Sequence, residues 1–122
     1  MAINDRLTRM VNLPENATTT AYVKSLVVSA TPASLCGLSG YNSNAATQYV
    51  QIHDAASLPS NGAYPVVSFP VSATSKFALD YGANPRQFTT GIVVCISSTQ
   101  NTLTLGAAAD TSFDVQYKPG IM

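Results

Sequence analysis

The feature that most constrains this chain is the spacing of its apolar segments. They are short, and Gly, Pro, Asn and Ser separate them at the roughly 8 to 12 residue interval expected of an all-β sandwich or barrel. The segments are "AYVKSLVVSA", "SLCGLSGYN", "TQYVQIHD", "AYPVVSFPV", "KFALDYG", "RQFTTGIVVCISS", "NTLTLG" and "SFDVQYKP". No 3.6-residue stripe of helical length occurs, so helix content should be low. A chain of 122 residues fits one such domain.

Individual segments carry more detail. In "SFDVQYKP", Phe113, Val115 and Tyr117 alternate with Ser112, Asp114, Gln116 and Lys118, which predicts one buried and one wet face. In "FTTGIVVCISS", Ile92, Val94 and Ile96 lie on one side and Val93 and Cys95 on the other, so both faces should be covered. Pro65 and Pro70 cannot donate to a ladder, so "YPVVSFPV" should be an edge strand or an interrupted one. "AYVKSLVVSA", rich in β-branched residues, reads as a central strand. Residues 1–18 differ: they hold four of the twelve charged residues, show no sustained period and break at Pro14. They read as an extended N-terminal arm ahead of a sandwich domain over 19–122.

Six Lys plus Arg balance six Asp plus Glu, and Arg6, Arg9, Lys24, Lys76, Arg86 and Lys118 are scattered. A phosphate-binding face needs clustered cations, so nucleic acid is not an expected partner. Polarity comes from Ser, Thr, Asn and Gln, and such an uncharged surface suits packed assemblies as well as it suits an ordinary small β domain. The longest apolar run, "IVVCI" at 92–96, is far short of the roughly 20 residues of a membrane span, and no membrane partner is expected. The charged start "MAINDRLTRM" lacks a signal-peptide core, so a reducing site of synthesis is expected, with Cys36 and Cys95 as buried thiols favoured over a disulfide. On the same ground "NAT" at 16–18 is read as a chance glycosylation match.

The densest collection of reactive side chains is "LCGLSGYNSNAATQYVQIHD", residues 35–54, with Cys36, serines, His53 and Asp54. The asparagines and serine of "NSNAA" favour a turn, and the stretch reads as a hairpin in which Tyr49, Gln51 and His53 share one strand face. "GLSGY" lacks the second glycine of a nucleophile elbow, and Asp54, adjoining His53, points to the opposite face. Neither cysteine has a cationic sequence neighbour to lower its pKa. One His and two separated Cys do not fill a zinc site. Asp54, Asp80, Asp110 and Asp114 could in principle form a carboxylate pair, but each has a local role at a turn or on a wet face. No catalytic residue, cofactor site or metal site is predicted.

Taken together, "AYVKSLVVSATPASLCGLSGYN", "QYVQIHDAASLP", "FALDYG", "FTTGIVVCISST" and "FDVQY" resemble small structural proteins of tailed bacteriophages, over residues 20–117. The resemblance implies a β-sandwich or jelly-roll-like unit in the virion, made in the bacterial host cytoplasm and sited on the capsid exterior as a decoration or cement protein. It implies a non-enzymatic role, binding to the major capsid protein and to copies of itself, commonly as a homotrimer. The arm's Ile3, Leu7, Met10, Val11 and Leu13 would serve as apolar anchors on a partner. The alternative is a tail or receptor-binding component that recognises a host glycan, with Tyr41, Tyr64 and Tyr81 near turns available to stack on sugars.

Overall fold

The computed structural model describes residues 14–120, and the arm residues Ile3, Leu7, Met10, Val11 and Leu13 lie outside them. The described chain is all-β, with nine strands and no helix. They are β1 Glu15–Thr18, β2 Ser25–Ser29, β3 Ala33–Asn42, β4 Gln48–His53, β5 Val67–Val71, β6 Ser75–Asp80, β7 Arg86–Phe88, β8 Ile92–Ser97 and β9 Thr111–Pro119.

Two antiparallel sheets form a sandwich. Sheet I has the order β1-β9-β3-β6, with β7 also on β3, and sheet II the order β2-β8-β4-β5. The pairing is that of a long ribbon folded back on itself at the β4–β5 connection: β1 lies on β9, β2 on β8, β3 on β7 and β6, and β4 on β5. Rolling this ribbon up places β3 beside β9 and β4 beside β8, which closes a jelly roll. Strands β6 and β7 are two halves of one interrupted edge: β6 pairs with residues 37–42 of β3 and β7 with residues 33–35.

The inner faces supply the core, in which Leu35, Leu38, Val50, Ile52, Phe88, Ile92, Val94, Phe113 and Val115 are buried. Leu35 and Leu38 are three apart, which strict alternation would place on opposite faces. A register shift against β9 between Leu35 and Gly37 accommodates Cys36 as an extra residue, so both leucines point inward. Phe77 stands edge-on to Phe69 across the sandwich (centroids 6.1 Å apart) and to Phe113 beside it (5.9 Å). Gly40 makes this arrangement possible, because a Cβ there would meet the Ser112 carbonyl and stand 2.5 Å from the Phe77 ring.

Several expectations hold. β9 alternates as predicted, with Phe113 and Val115 buried; all six residues of β8 are buried; and β5, containing Pro70, is an edge. Others are corrected. "AYVKSLVVSA" yields β2, an edge strand of sheet II. "RQFTTGIVVCISS" divides into β7 and β8, which belong to different sheets, and "NTLTLG" contributes only an isolated bridge, Ser97 to Leu105. Residues 15–18, expected in the arm, pair with β9, so the sheet begins earlier than the 18/19 boundary. The expected hairpin of β3 and β4 is a crossing between sheets, since β3 pairs only within sheet I and β4 only within sheet II.

Asn42 explains that crossing. It is 1% exposed, and its Nδ2 donates to the carbonyls of Ala46 (3.3 Å), Val71 (3.4 Å) and Ser72 (3.1 Å) while its Oδ1 accepts the Asn44 amide (3.0 Å). The turn chemistry is that of an Asx turn, but its donors reach the end of a strand in the other sheet. Asn42→Ala should therefore cost about 2 to 3 kcal/mol, because buried carbonyls lose their donor. Urea unfolding should show a lower midpoint at unchanged slope, and an unaltered midpoint would remove Asn42 from this role.

Candidate functional site

The stretch that drew attention in sequence becomes part of a layer outside sheet II. As predicted, Gln51 and His53 share the outward face of β4, but both are buried, at 0% and 2% exposure. A buried carboxamide must be hydrogen-bonded to be tolerated. Gln51 Nε2 donates to the carbonyls of Thr99 (2.9 Å), Gln100 (3.1 Å) and Thr102 (3.1 Å), which holds the loop after β8 across this face. Leu103, 1% exposed, is braced against the loop after β4 by Gly62 N to Leu103 O and Leu103 N to Ala63 O. Beneath these loops Val93 and Cys95 are fully buried, and burial pushes the Cys95 thiol up to about 12.

The same network fixes the state of His53. Because Gln51 Nε2 faces carbonyls, its Oε1 is the acceptor 3.0 Å from His53 Nε2, so the neutral ring carries its proton on Nε2. Burial lowers the His53 pKa. Asp54 turns away, as its adjacency to His53 requires. Its carboxylate accepts the amides of Thr89 (3.1 Å), Thr90 (2.8 Å) and Gly91 (3.3 Å) and the Thr89 hydroxyl (3.1 Å). Partial burial raises the Asp54 pKa, but the four donors outweigh it and the net direction is down.

The remaining aspartates are each held by neighbouring hydrogen-bond donors, some from distant parts of the chain. Asp80 Oδ1 accepts the Gly82 amide (2.7 Å), Asp110 accepts from Asn44 Nδ2 and Thr111 Oγ1, and Asp114 accepts from Thr18 Oγ1 (2.9 Å) and Gln116 Nε2 (3.2 Å). Among the described residues no three His, Cys, Asp or Glu gather where they could hold a metal ion. Cys36 and Cys95 are both free thiols.

The three tyrosines are not brought together. Tyr41 is half-buried on the outward face of sheet I, opposite Lys76; Tyr81, just after β6, packs against the core; and Tyr64, 81% exposed, stands in the loop outside sheet II. Other exposed large apolar residues are Tyr22, Val27, Leu58 and Val66. Val27 and Val66 face outward from sheet II by strand parity, and Leu58 belongs to the loop over it. The sequence reading missed this asymmetry, and also Gln51 as the brace. The alternation of β4 was visible, but the loop that buries its polar face was not.

The described residues thus define an all-β jelly-roll domain with one face sealed by cross-braced loops. No family model matches the chain and no curated protein matches it. Among solved structures it is similar to the coat protein of Tobacco streak virus, at a TM-score of 0.41 and 11% identity, covering 91% of each chain. A likeness of that degree carries no functional argument.

The pH dependence of stability tests the network. His53 is the single histidine, and its folded pKa lies below 6.5, so the unfolded chain binds the proton first and stability should fall as pH drops below that value. A second loss should begin below 3.8, where unfolded Asp54 protonates ahead of the folded one. Chemical unfolding of the chain and of His53→Gln between pH 7 and pH 5 should show a slope in the former that is absent from the latter. Equal slopes would exclude His53 as the titrating group.

Proposed function

We propose that the protein is a non-enzymatic structural component of a virus particle, a decoration or cement protein on the capsid exterior of a tailed bacteriophage. It binds the major capsid protein and copies of itself, in a homotrimer. The observation that carries this reading is the asymmetry of the sandwich. Outside sheet II the buried β4 side chain Gln51 is turned to brace the loop after β8, while Val27, Leu58, Tyr64 and Val66 are left outward on that same side. Outward apolar side chains on rigid supports are what a protein–protein contact uses. The segments quoted above for their likeness to phage structural proteins include β3, β4, β8 and much of β9, the strands that build the roll. The apolar residues of the arm would add a second contact with the shell.

Counting this chain against the major capsid protein by mass spectrometry of intact particles should give near parity. A count of a few copies would move it to the tail. Tyr64→Asp combined with Val27→Asp, both exposed, should leave unfolding nearly unchanged and abolish binding to particles stripped of the protein. Retained binding would exclude the sheet II side as the contact.

One observation favours a second reading, that of a glycan-recognising tail component: Tyr64 presents most of its surface to solvent from a braced loop, and jelly rolls include lectin domains. Glycan-array binding lost on Tyr64→Ala would favour it over the first.

A further inference from the structure

The outward face of sheet I is complementary to a copy of itself. Along β6 the outward positions are Lys76, Ala78 and Asp80, and all three are exposed. Their register partners on β3 are Tyr41, Ser39 and Gly37. The two ends of this seam differ in both charge and relief. At one end Tyr41 stands beside the Lys76 cation. At the other Gly37 has no side chain, and a hollow of about 410 Å3 lies beside the Asp80 carboxylate. The Ser39–Ala78 row between them is low and uncharged.

We infer that two copies of the chain pair face to face through sheet I, about a two-fold axis that runs across the strands along the Ser39–Ala78 row. Such an axis exchanges the two ends of the seam. It sets Lys76 over the partner's Asp80 and the Tyr41 ring over the hollow at the partner's Gly37, each twice. An axis along the strands would instead set Lys76 over Tyr41 and leave Asp80 without a cation. The face as a whole does not repel its copy, because the outward positions of β6 and β9 hold Lys76 and Lys118 against Asp80 and Asp114. Asp114 lies on the axial row and meets its own copy. Packed sheets cross at about 30°, which offsets the two carboxylates, and Thr18 and Gln116 already donate to each.

The size of the face sets the strength. Four strands about 4.8 Å apart, the longest of ten residues, offer at most about 650 Å2, at the small end of specific interfaces. The pairing should therefore be seen at tens to hundreds of micromolar chain. It concerns the isolated protein and stands apart from the virion reading, since counts on particles leave it untouched. It is also a contact separate from the three-fold one proposed above, so it yields two copies, or six where the trimer forms as well.

Sedimentation equilibrium of the full chain tests it by charge exchange. Lys76→Asp and Asp80→Lys should each weaken self-association about ten-fold or more, because each sets like charges against one another twice. An equimolar mixture of the two variants should associate again, since each then offers the charge the other lacks. Ala78→Glu, which sets two carboxylates together on the axis, should also weaken pairing while leaving the urea midpoint nearly unchanged. Asp80 Oδ1 accepts the Gly82 amide, so Asp80→Lys could loosen that turn. If it unfolds, Lys76→Asp and Ala78→Glu decide. A chain that stays monomeric at hundreds of micromolar would overturn the inference, as would a mass of three copies or an association that Lys76→Asp and Ala78→Glu leave unchanged.

Discussion

Three chain crossings between the sheets meet at one corner, and the roll depends on it. β3 passes to β4 through Asn42 to Thr47, β5 returns to β6 through residues 72–74, and β9 starts at Thr111 after the long return from β8. Asn42 binds the first two through Ala46, Val71 and Ser72, and Thr74 N donates to Asn44 O. Ser43 and Asn44 bind the third, through the Asp110 carbonyl and carboxylate. Each crossing is a non-local closure whose entropy must be recovered by contacts. Placing the three together lets one short "NSN" segment satisfy buried backbone groups from all of them.

The two outer faces answer the same requirement differently. Sheet I leaves its outward side wet along β1 and β9, where Thr18 and Gln116 both donate to the Asp114 carboxylate. Sheet II carries Val93 and Cys95 outward at the centre of its middle strands, so it needs a third layer. Loops are poor covers because their backbone groups need partners. Gln51 supplies them for the loop after β8, donating to three carbonyls, and Asp54 does the same for the connection from β7 to β8, accepting three amides. Their chemical reactivity is consumed in this role, and the side chains left outward on the finished layer are apolar.

Much of the roll was legible because alternation reports burial directly. β9 shows one wet face, β8 shows two dry ones, and Pro70 of β5 reports an edge. What was not legible is which sheet a strand joins. "NSNAA" carries turn signals that a hairpin and a crossing share, and only the register of β4 with β8, far along the chain, separates them. The division of "RQFTTGIVVCISS" was hidden for a related reason: the segment reads as one apolar run, while Gly91, whose Cβ would meet the carbonyls of Ala55 and Ser29, marks where it leaves one sheet for the other. The site was least legible of all, because Gln51 becomes a brace only through carbonyls nearly fifty residues away.

The edges constrain how copies of this protein can meet. A free strand edge invites addition of another strand, and each edge here is blunted. β5 carries Pro70, β2 has a register shift between Val27 and Ser29, and the β6–β7 edge is broken by the turn at Tyr81 to Pro85. β1 is only four residues long, with Pro14 before it and the charge of Glu15 at its start. With strand addition disfavoured on every side, association has to proceed through faces and loops, where geometry is set by side chains on a closed roll. A closed roll with blunted edges and an outward apolar loop layer can bind a defined partner repeatedly without polymerising through its sheets.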